Sequence, residues 1–323
     1  MRTVVTGASG HIGGVLVRAL LARNHAVLAA DLVRGPTLDG LDVEFSAIDV
    51  THPASLNGLF AGAEVVVHLA AVISVVGDPK GIVRAVNVDG AENVARAALA
   101  AGVGRYVHVS SVHAFDLEQV TATLTEESPR AIAAHLPPYD LSKYAGELRV
   151  RTVIADGLPA VIVNPTGVIG PDDFGPSRMG QIFRSMRERQ LPFVIQGGFD
   201  WVDVRDVADG IVGAAERGRV GENYLLAGTH TSVADLMALA AVACGSHPPR
   251  FTIPMTLARA WGPVGTLVAR RTGSALAMTT ESLHALRFDP EVSSAKAKHE
   301  LGYRSRPIDT TVRDIYEWIS RRE

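Results

Sequence analysis

The sequence predicts an α/β fold built on a doubly wound parallel sheet, with a smaller C-terminal lobe. Three observations predict it. Short apolar runs alternate with helical patterns through the first two-thirds of the chain, and most runs are apolar on both faces. Strands of that kind are typical of a parallel sheet covered by helices on each side. A glycine-rich turn, TGASGHIG, directly joins the first run to the first helical pattern.

Each element follows from a local pattern. The predicted strands are the apolar runs at 3–7, 26–31, 43–50, 63–71, 105–111 and 159–171, and the predicted helices cover 11–23, 54–60, 80–101 and 139–156. Beyond residue 171 the chain becomes charged and helical over 172–195, and 199–216 returns to a strand followed by a helix. We therefore assign 1–171 plus about 196–227 to the sheet domain, and 172–195 plus 228–323 to the lobe.

Composition excludes several classes of protein. The 323 residues are 47% hydrophobic, enough for a sizeable core, and the net charge of −3 without a long basic run excludes a nucleic-acid footprint. The single cysteine, Cys244, has no disulfide partner and no metal-ligand cluster. With no leader and no uninterrupted apolar span, we expect a cytoplasmic protein without metal, membrane or nucleic-acid partners. The apolar stretch 251–278, broken by prolines and arginines, is predicted as a core or pocket-lining helix pair rather than a membrane contact.

The glycine turn indicates a dinucleotide site. Gly7, Gly10 and Gly13 permit a tight turn and close backbone approach, and the helix that follows offers unpaired N–H groups to a pyrophosphate. Ser9, His11 and Ile12 belong to the same loop, and His11 is given no chemical role. The sheet domain is therefore predicted to bind a dinucleotide and the lobe to bind substrate.

Two acids end the next strands. Asp31 lies 18 residues past Gly13, where a carboxylate accepts bonds from the adenosine ribose and repels a 2′-phosphate, which favours NAD. Arg34 leaves NADP open. Asp49, next to Val50, is predicted to bind the adenine amine, or else to cap the segment that begins at Thr51.

The stretch PPYDLSKYAGE indicates acid–base chemistry. Tyr139 and Lys143 are four residues apart, so a helix places them on one face. An ammonium about 4 Å from a phenol, at an effective dielectric near 20, contributes roughly 4 kcal/mol. That would lower the tyrosine pKa by up to about three units. Ser110 and Ser111, at the carboxyl end of a predicted strand, supply a hydroxyl for a carbonyl oxygen.

Six motifs in order resemble the extended short-chain dehydrogenase/reductases, the NAD-dependent epimerase/dehydratase family with its Rossmann fold. They are TGASGHIG, HLAA at 68–71, NVDGAENV at 87–94, VSS at 109–111, YDLSK at 139–143 and NPTGVIGP at 164–171. The resemblance covers essentially the whole chain. It implies that Tyr139 is the catalytic acid/base, that Lys143 holds the nicotinamide ribose and lowers the tyrosine pKa, and that Ser111 rather than Ser110 positions the reacting oxygen.

The resemblance also implies the remaining contacts. Asn87 would steady the active-site network, although a helix N-cap role also explains it. Further cofactor contacts are expected from Leu69, Ala70, Ala71, Val109, Asn164, Pro165 and Thr166, and substrate contacts from Ile73, Ser111, His113, Asn164 and Phe199. His113 is open to a second interpretation, as a histidine of the pocket wall.

The expected substrate is an apolar small molecule. Nucleotide-sugar enzymes of the family usually carry an arginine where this chain has Phe199, and residues 71–79 and 254–269 are apolar. The chain therefore looks most like the dihydroflavonol 4-reductase and 3β-hydroxysteroid dehydrogenase branch, which reduces ketones or aldehydes or oxidises secondary alcohols. A nucleotide-sugar epimerase or dehydratase with tightly bound NAD remains an alternative, and a non-catalytic redox sensor a further one. By analogy, a homodimer is expected through 139–156 and 85–101.

Overall fold

The structure, a computed structural model, describes residues 1–272, 278–288 and 290–322. Its strands are β1 (Arg2–Thr6), β2 (Ala26–Asp31), β3 (Glu44–Ala47), β4 (Val65–His68), β5 (Arg105–Val109), β6 (Thr123–Leu124), β7 (Ala160–Pro165), β8 (Gly167–Ile169), β9 (Phe193–Ile195), β10 (Gly198–Asp203), β11 (Asn223–Leu226), β12 (Thr229–Ser232), β13 (Phe251–Ile253) and β14 (Glu291–Val292). Its α-helices are α1 (His11–Ala22), α2 (Ile82–Arg84), α3 (Ala91–Ala100), α4 (Pro138–Ala155), α5 (Arg178–Arg187), α6 (Val204–Arg217), α7 (Val233–Cys244), α8 (Met255–Thr272), α9 (Thr280–Arg287), α10 (Ala295–Leu301) and α11 (Ile308–Ser320).

Seven strands form one parallel sheet in the order β3-β2-β1-β4-β5-β7-β11. Neighbouring residues of β1 face opposite sides: Val5 packs in a core with α1 and α6, and Val4 packs in a core with α3 and α4. The predicted doubly wound α/β class is therefore confirmed. The strand order reverses between β1 and β4, and that switch point is where such sheets bind ligands.

Three predicted elements differ from the observed ones. The run 159–171 splits after Pro165: β7 stays in the main sheet, while β8 joins β10 and β12 in a separate three-stranded sheet. The predicted helix 54–60 is only a 3-10 turn, Pro53–Leu56, and the chain adopts φ +72° at Gly58. Residues 80–101 form α2, a π-helical segment Ala85–Gly90 and α3 rather than one regular helix.

The C-terminal part has its own core, where Phe183 of α5, Leu236 of α7 and Tyr316 of α11 are buried together. Within 196–227, β11 and α6 belong with the main sheet whereas β10 belongs to the small one. The two-domain division itself stays a prediction. Among the described residues, no helix is both long and apolar enough to cross a membrane.

Candidate active site

The glycine loop lies at the switch point and is closely packed. Gly7 has φ +74°, and a Cβ there would lie 2.5 Å from the Ala70 nitrogen. A Cβ on Gly13 would lie 2.2 Å from the Gly7 carbonyl oxygen. Helix α1 begins at His11 after Gly10, which supplies no side-chain cap. The first N–H groups of this helix therefore remain for an anion, and the backbone cradle fits a dinucleotide pyrophosphate.

Several predicted contacts of this loop are structural. The His11 Nε2 lies 2.8 Å from the Pro171 carbonyl oxygen, so this ring joins the loop to the chain beyond β8. The Ser9 hydroxyl donates to the Val33 carbonyl and accepts from the Gly35 N–H. Ile12 packs against the main core. Their positions around the turn hold its shape.

Asp31 and Arg34 lie beside the loop with different surroundings. The Asp31 carboxylate accepts hydrogen bonds from the N–H groups of Ser9, at 2.9 Å, and Leu32, at 2.8 Å. It is therefore fixed at the end of β2 next to the glycine turn. The Arg34 guanidinium instead donates to the Leu38 carbonyl at 3.1 Å, which directs it toward the 38–43 loop.

Asp49 shows the capping alternative. Its Oδ1 accepts from both the N–H and the hydroxyl of Thr51, and its Oδ2 lies 2.9 Å from the His52 Nδ1. The Thr51 hydrogen bonds are the main cause of a lowered Asp49 pKa. Val50 is buried, and its carbonyl accepts from Asn93. The adenine contact of Asp49 stays a prediction.

Tyr139, Lys143 and Ser111 come together at the carboxyl end of β5. The Ser111 side chain lies close enough to the Tyr139 hydroxyl to act on its pKa as a hydrogen-bond partner, and all three side chains are buried. The Lys143 Nζ donates to the Val109 carbonyl at 3.4 Å and lies 6.0 Å from the Tyr139 ring centre. The neighbouring Ser110 is also buried, but its hydroxyl has no hydrogen-bond partner within the described residues. Ser111 is thus the serine beside the phenol.

Burial governs the ionisation of this pair. Loss of hydration raises the pKa of Tyr139, the Ser111 hydrogen bond opposes that rise, and the charge of Asp140 adds to it. Burial therefore outweighs the effect expected of the Lys143 charge, and the Tyr139 pKa lies above its ordinary value rather than below it. Burial also lowers the pKa of Lys143 to about 8, against the opposing charge of Glu147. Burial is therefore the largest cause of both shifts.

Asn87 lies inside the π-helical segment, so the helix N-cap interpretation is wrong. Its side-chain oxygen accepts from the Val72 N–H at 2.8 Å, and its amide donates to the Val72 carbonyl and to the Ser142 hydroxyl. Ser142 in turn donates to the Tyr139 carbonyl at 2.7 Å. Asn87 therefore ties the chain after β4 to the first turn of α4, which carries Tyr139.

The sequence analysis missed a buried carboxylate behind the site. Glu147 lies one helical turn beyond Lys143 and is fully buried. Asn164 donates to its Oε1 at 2.7 Å and also to the Ser111 carbonyl at 2.9 Å. Asn223 and Arg130 donate to its Oε2. The spacing Tyr139, Lys143, Glu147 is the signal that could have found it, because every fourth residue shares a helix face.

The remaining predicted contacts line the switch point or the cleft beyond it. Leu69 and Ala70 follow β4 against Gly7, with Ala71 exposed. The Thr166 hydroxyl donates to Asp200 at 2.6 Å, and Pro165 ends β7. Ile73 is 75% exposed, so the structure places it at the outer edge rather than within the site.

An aromatic wall stands next to Tyr139. The His113 ring packs edge-on against Tyr139 at 5.5 Å and stacks on Phe199 at 5.8 Å. Its Nδ1 lies 3.1 Å from the Asp140 carboxylate without hydrogen-bond geometry. An open cleft of about 480 Å³ lies over the start of α4, lined by residues that include His135, Pro137, Pro138, Pro263, Thr266 and His284. No cluster of metal ligands occurs within 1–272, 278–288 and 290–322.

Comparison with known proteins agrees with this geometry. The model of the NAD dependent epimerase/dehydratase family matches residues 3–227. The chain is 30% identical to sterol demethylase protein B of Methylococcus capsulatus, covering 100% of this chain and 99% of that protein. It is 29% identical to a putative dihydroflavonol 4-reductase of Synechocystis, covering 98% and 93%.

The crystal structure of gox2253 superposes with a TM-score of 0.85 at 32% identity, covering 99% of this chain and 98% of that one. This match confirms the fold over nearly the whole chain. The matched family is NAD dependent, which supports NAD as the cofactor. The chain therefore belongs to the NAD dependent epimerase/dehydratase family and is an NAD(P)-dependent oxidoreductase of the extended short-chain dehydrogenase/reductase type.

Proposed function

We propose that this protein interconverts a carbonyl group and a secondary alcohol on an apolar small molecule, with Tyr139 as the acid/base. One observation carries the proposal: Tyr139 and Ser111 are buried next to each other at the carboxyl end of β5 in the parallel sheet, where Ser111 acts on the ionisation of the phenol. A phenol and a serine hydroxyl that lie next to each other can both bind to the same substrate oxygen.

The residues divide the chemistry as follows. Bound NAD supplies or accepts the hydride. Ser111 holds the substrate oxygen, and Tyr139 gives it a proton during reduction or removes one during oxidation. Because burial raises the Tyr139 pKa, the phenol is protonated at neutral pH, the state that reduction requires. Lys143, whose pKa burial lowers to about 8, would hold a hydroxyl of the nicotinamide ribose as an ammonium below that pH.

An apolar substrate is favoured by the wall beside Tyr139. Phe199 occupies the position where a diphosphate-binding arginine was expected for a sugar enzyme, and its ring stacks on His113. An aromatic pair next to the proton donor suits a flat or greasy substrate better than a charged diphosphate. The relatives named for a sterol and a dihydroflavonol support the same class.

NAD rather than NADP is the proposed physiological cofactor. Asp31 presents a carboxylate beside the glycine turn, where a 2′-phosphate would meet a negative charge. Arg34, the residue that could offset this repulsion, already donates to backbone carbonyls of the 38–43 loop.

The second candidate is a nucleotide-sugar epimerase or dehydratase, which the family description includes. Such an enzyme returns its hydride within one turnover, so the free NADH concentration does not change. A redox sensor, the third candidate, would bind NAD without turnover.

The test is the absorbance of NADH or NADPH with purified protein and a panel of steroid-like ketones, flavonoid ketones, aldehydes and nucleotide-sugars, with product analysis. We expect stoichiometric NADH loss with an apolar ketone. Conversion of a nucleotide-sugar without net NADH loss would establish the epimerase instead. NADH binding with no conversion of any compound would favour the sensor.

A further inference from the structure

Helix α8 presents three different faces. Small residues, Ala258, Gly262 and Ala269, are buried, and a Cβ on Gly262 would already touch Thr280 and Leu283 of α9. Pro263 and Thr266 line the cleft over α4. The third face of α8 is exposed and lies away from α9 and from the cleft.

That third face is a continuous apolar stripe. Leu257, Trp261, Val264 and Val268 follow one another at intervals of four, three and four residues, so they share one side of the helix. Their side chains are 44% to 63% exposed, as is the adjoining Leu267. We call these five residues the α8 stripe. The expectation of a core or pocket-lining helix pair agrees with the packing of α8 on α9 and with the cleft that both line, but it does not account for this exposed face. Residues 273–277 lie outside the described residues.

The charged residues of α8 itself have one sign. From residue 236 to residue 280 the chain contains four arginines, Arg250, Arg259, Arg270 and Arg271, and no aspartate or glutamate, although the whole protein carries a net charge of −3. Arg271 continues the stripe one turn beyond Val268. Within the part of the chain that the structure describes, Arg259 and Arg271 form no ion pair and are exposed. The charge that continues the stripe is thus positive, at Arg271, whereas Arg259, two residues from both Leu257 and Trp261, lies on another side of the helix.

We propose that the α8 stripe binds an anionic lipid bilayer surface. An amphipathic helix with aliphatic residues and a tryptophan on one side, and arginines as its only charges, lies in the interface plane and is attracted to anionic headgroups. A convex helix surface offers no groove for a peptide, and no acid on it would complement a basic partner. The inference departs from the sequence prediction, which weighed membrane contact by 251–278 and favoured a core or pocket-lining helix pair.

This contact goes beyond the proposed function and does not depend on it. It has one consequence for that function, because α8 is also a wall of the cleft. Arg270 donates to the Val76 carbonyl at 2.9 Å and so fastens α8 to the segment after β4. A bilayer against the stripe would place the cleft opening at the lipid boundary, where an apolar substrate is dissolved.

The test is co-sedimentation of the full chain with vesicles of phosphatidylcholine alone or mixed with phosphatidylglycerol. We expect binding to the mixed vesicles that is at least about tenfold tighter than to phosphatidylcholine and that weakens as salt is raised. The double variant L257S/V264S should bind at least about tenfold more weakly, because it removes apolar area from the interface. The matched control is Val242→Ser on α7, an 84% exposed valine outside the stripe, which should bind as wild type.

A fluorescence experiment locates the contact. Brominated lipids should quench Trp261, and Trp261→Phe should abolish that quenching while the protein still sediments with vesicles. Failure to bind mixed vesicles, or unchanged binding by L257S/V264S, would overturn the proposal. So would a loss of self-association in L257S/V264S without vesicles, measured by analytical ultracentrifugation, since the stripe would then be covered by a second copy.

Discussion

At the scale of single residues, burial decides the chemistry of the site. Tyr139 and Lys143 are both buried away from water, and burial favours the neutral form of each side chain. It therefore raises the pKa of the phenol and lowers the pKa of the ammonium. Ser111 acts on the Tyr139 hydroxyl, and the Lys143 ammonium donates to the Val109 carbonyl. Tyr139, the proposed acid/base, is therefore held as a protonated phenol at neutral pH.

Replacing Tyr139 by phenylalanine removes only the proposed proton donor. We expect the turnover number to fall by about 10²- to 10⁴-fold, while NAD affinity changes little, because general acid–base catalysis contributes about that much. Steady-state rates and NADH fluorescence titration measure the two quantities. Tyr144→Phe, on the same helix, serves as the control and should leave both unchanged. Retained turnover in Tyr139→Phe would exclude this residue as the acid/base.

Lys143 should impose an alkaline limit on activity. Because burial lowers its pKa to about 8, the ammonium is fully charged below that pH and is lost as pH rises through it. We expect kcat/KM for reduction with NADH to fall through this range. Lys143→Met should show a low rate without that limb, and exposed Lys80→Met should keep the wild-type profile. A wild-type rate that is flat across pH 8 would contradict the assignment.

At the scale of elements, the strand-to-helix turn after β1 is the most constrained connection of the cofactor site. A methyl group on Gly13 would have to displace the Gly7 carbonyl, which lies 2.2 Å from the required Cβ position. Backbone cannot move aside there as a flexible side chain could, because β1 is paired on both sides. The glycine spacing is thus a packing requirement and not only a sequence signature.

Gly13→Ala should therefore cost about 1–3 kcal/mol through overpacking, and should weaken NAD binding by about tenfold or more. Chemical denaturation and NAD titration measure these effects. The matched control is Gly175→Ala, because a Cβ at Gly175 meets nothing within 4 Å. Equal behaviour of the two variants would show that the close packing of the loop is unimportant.

At the scale of the whole molecule, Glu147 joins parts that are distant in sequence. Its carboxylate accepts from Asn164 on β7 and Asn223 on β11, and pairs with Arg130 before α4. Asn164 extends the connection to the Ser111 carbonyl. The position of Ser111 thus depends on contacts from two strands and one helix.

Removing one partner of this buried network should be costly. We expect Glu147→Ala to lower the free energy of unfolding by roughly 3–5 kcal/mol, because it leaves Arg130 without its buried partner. Glu216→Ala, at an exposed ion pair with Arg217, should change it by less than about 1 kcal/mol. Glu147→Gln should additionally move the alkaline limit of activity below pH 8, since the Glu147 charge raises the Lys143 pKa. An unmoved limit would separate Glu147 from the site.

We also expect a homodimer in which α3 and α4 of two copies meet, an arrangement proposed by analogy with the family. Leu148 is an exposed leucine on α4. Leu148→Asp should weaken the dimer without reducing the stability of the fold. Analytical ultracentrifugation of both proteins over a range of concentrations measures it, and a wild-type chain that stays monomeric throughout would end this proposal.

The sequence by itself determined the sheet, the glycine turn and the Tyr139–Lys143 helix, because each depends on local spacing: apolar runs, glycines at intervals of three, and two side chains four residues apart. The choice of Ser111 over Ser110 came from the family resemblance and stays a prediction. The family matches confirm the fold class and the cofactor that those patterns indicated.

Only the tertiary structure decided the quantities that depend on burial. Loss of hydration around Tyr139 raises its pKa. The spacing of Tyr139 and Lys143 in the sequence carries no information about that burial, so it predicted a lowered pKa. The splitting of 159–171 into two sheets, the helical-interior position of Asn87 and the role of Glu147 all rest on partners more than ten residues away. The exposure of the α8 stripe could likewise be known only from the structure. An apolar helix face has the same sequence pattern whether it packs against a core or faces solvent.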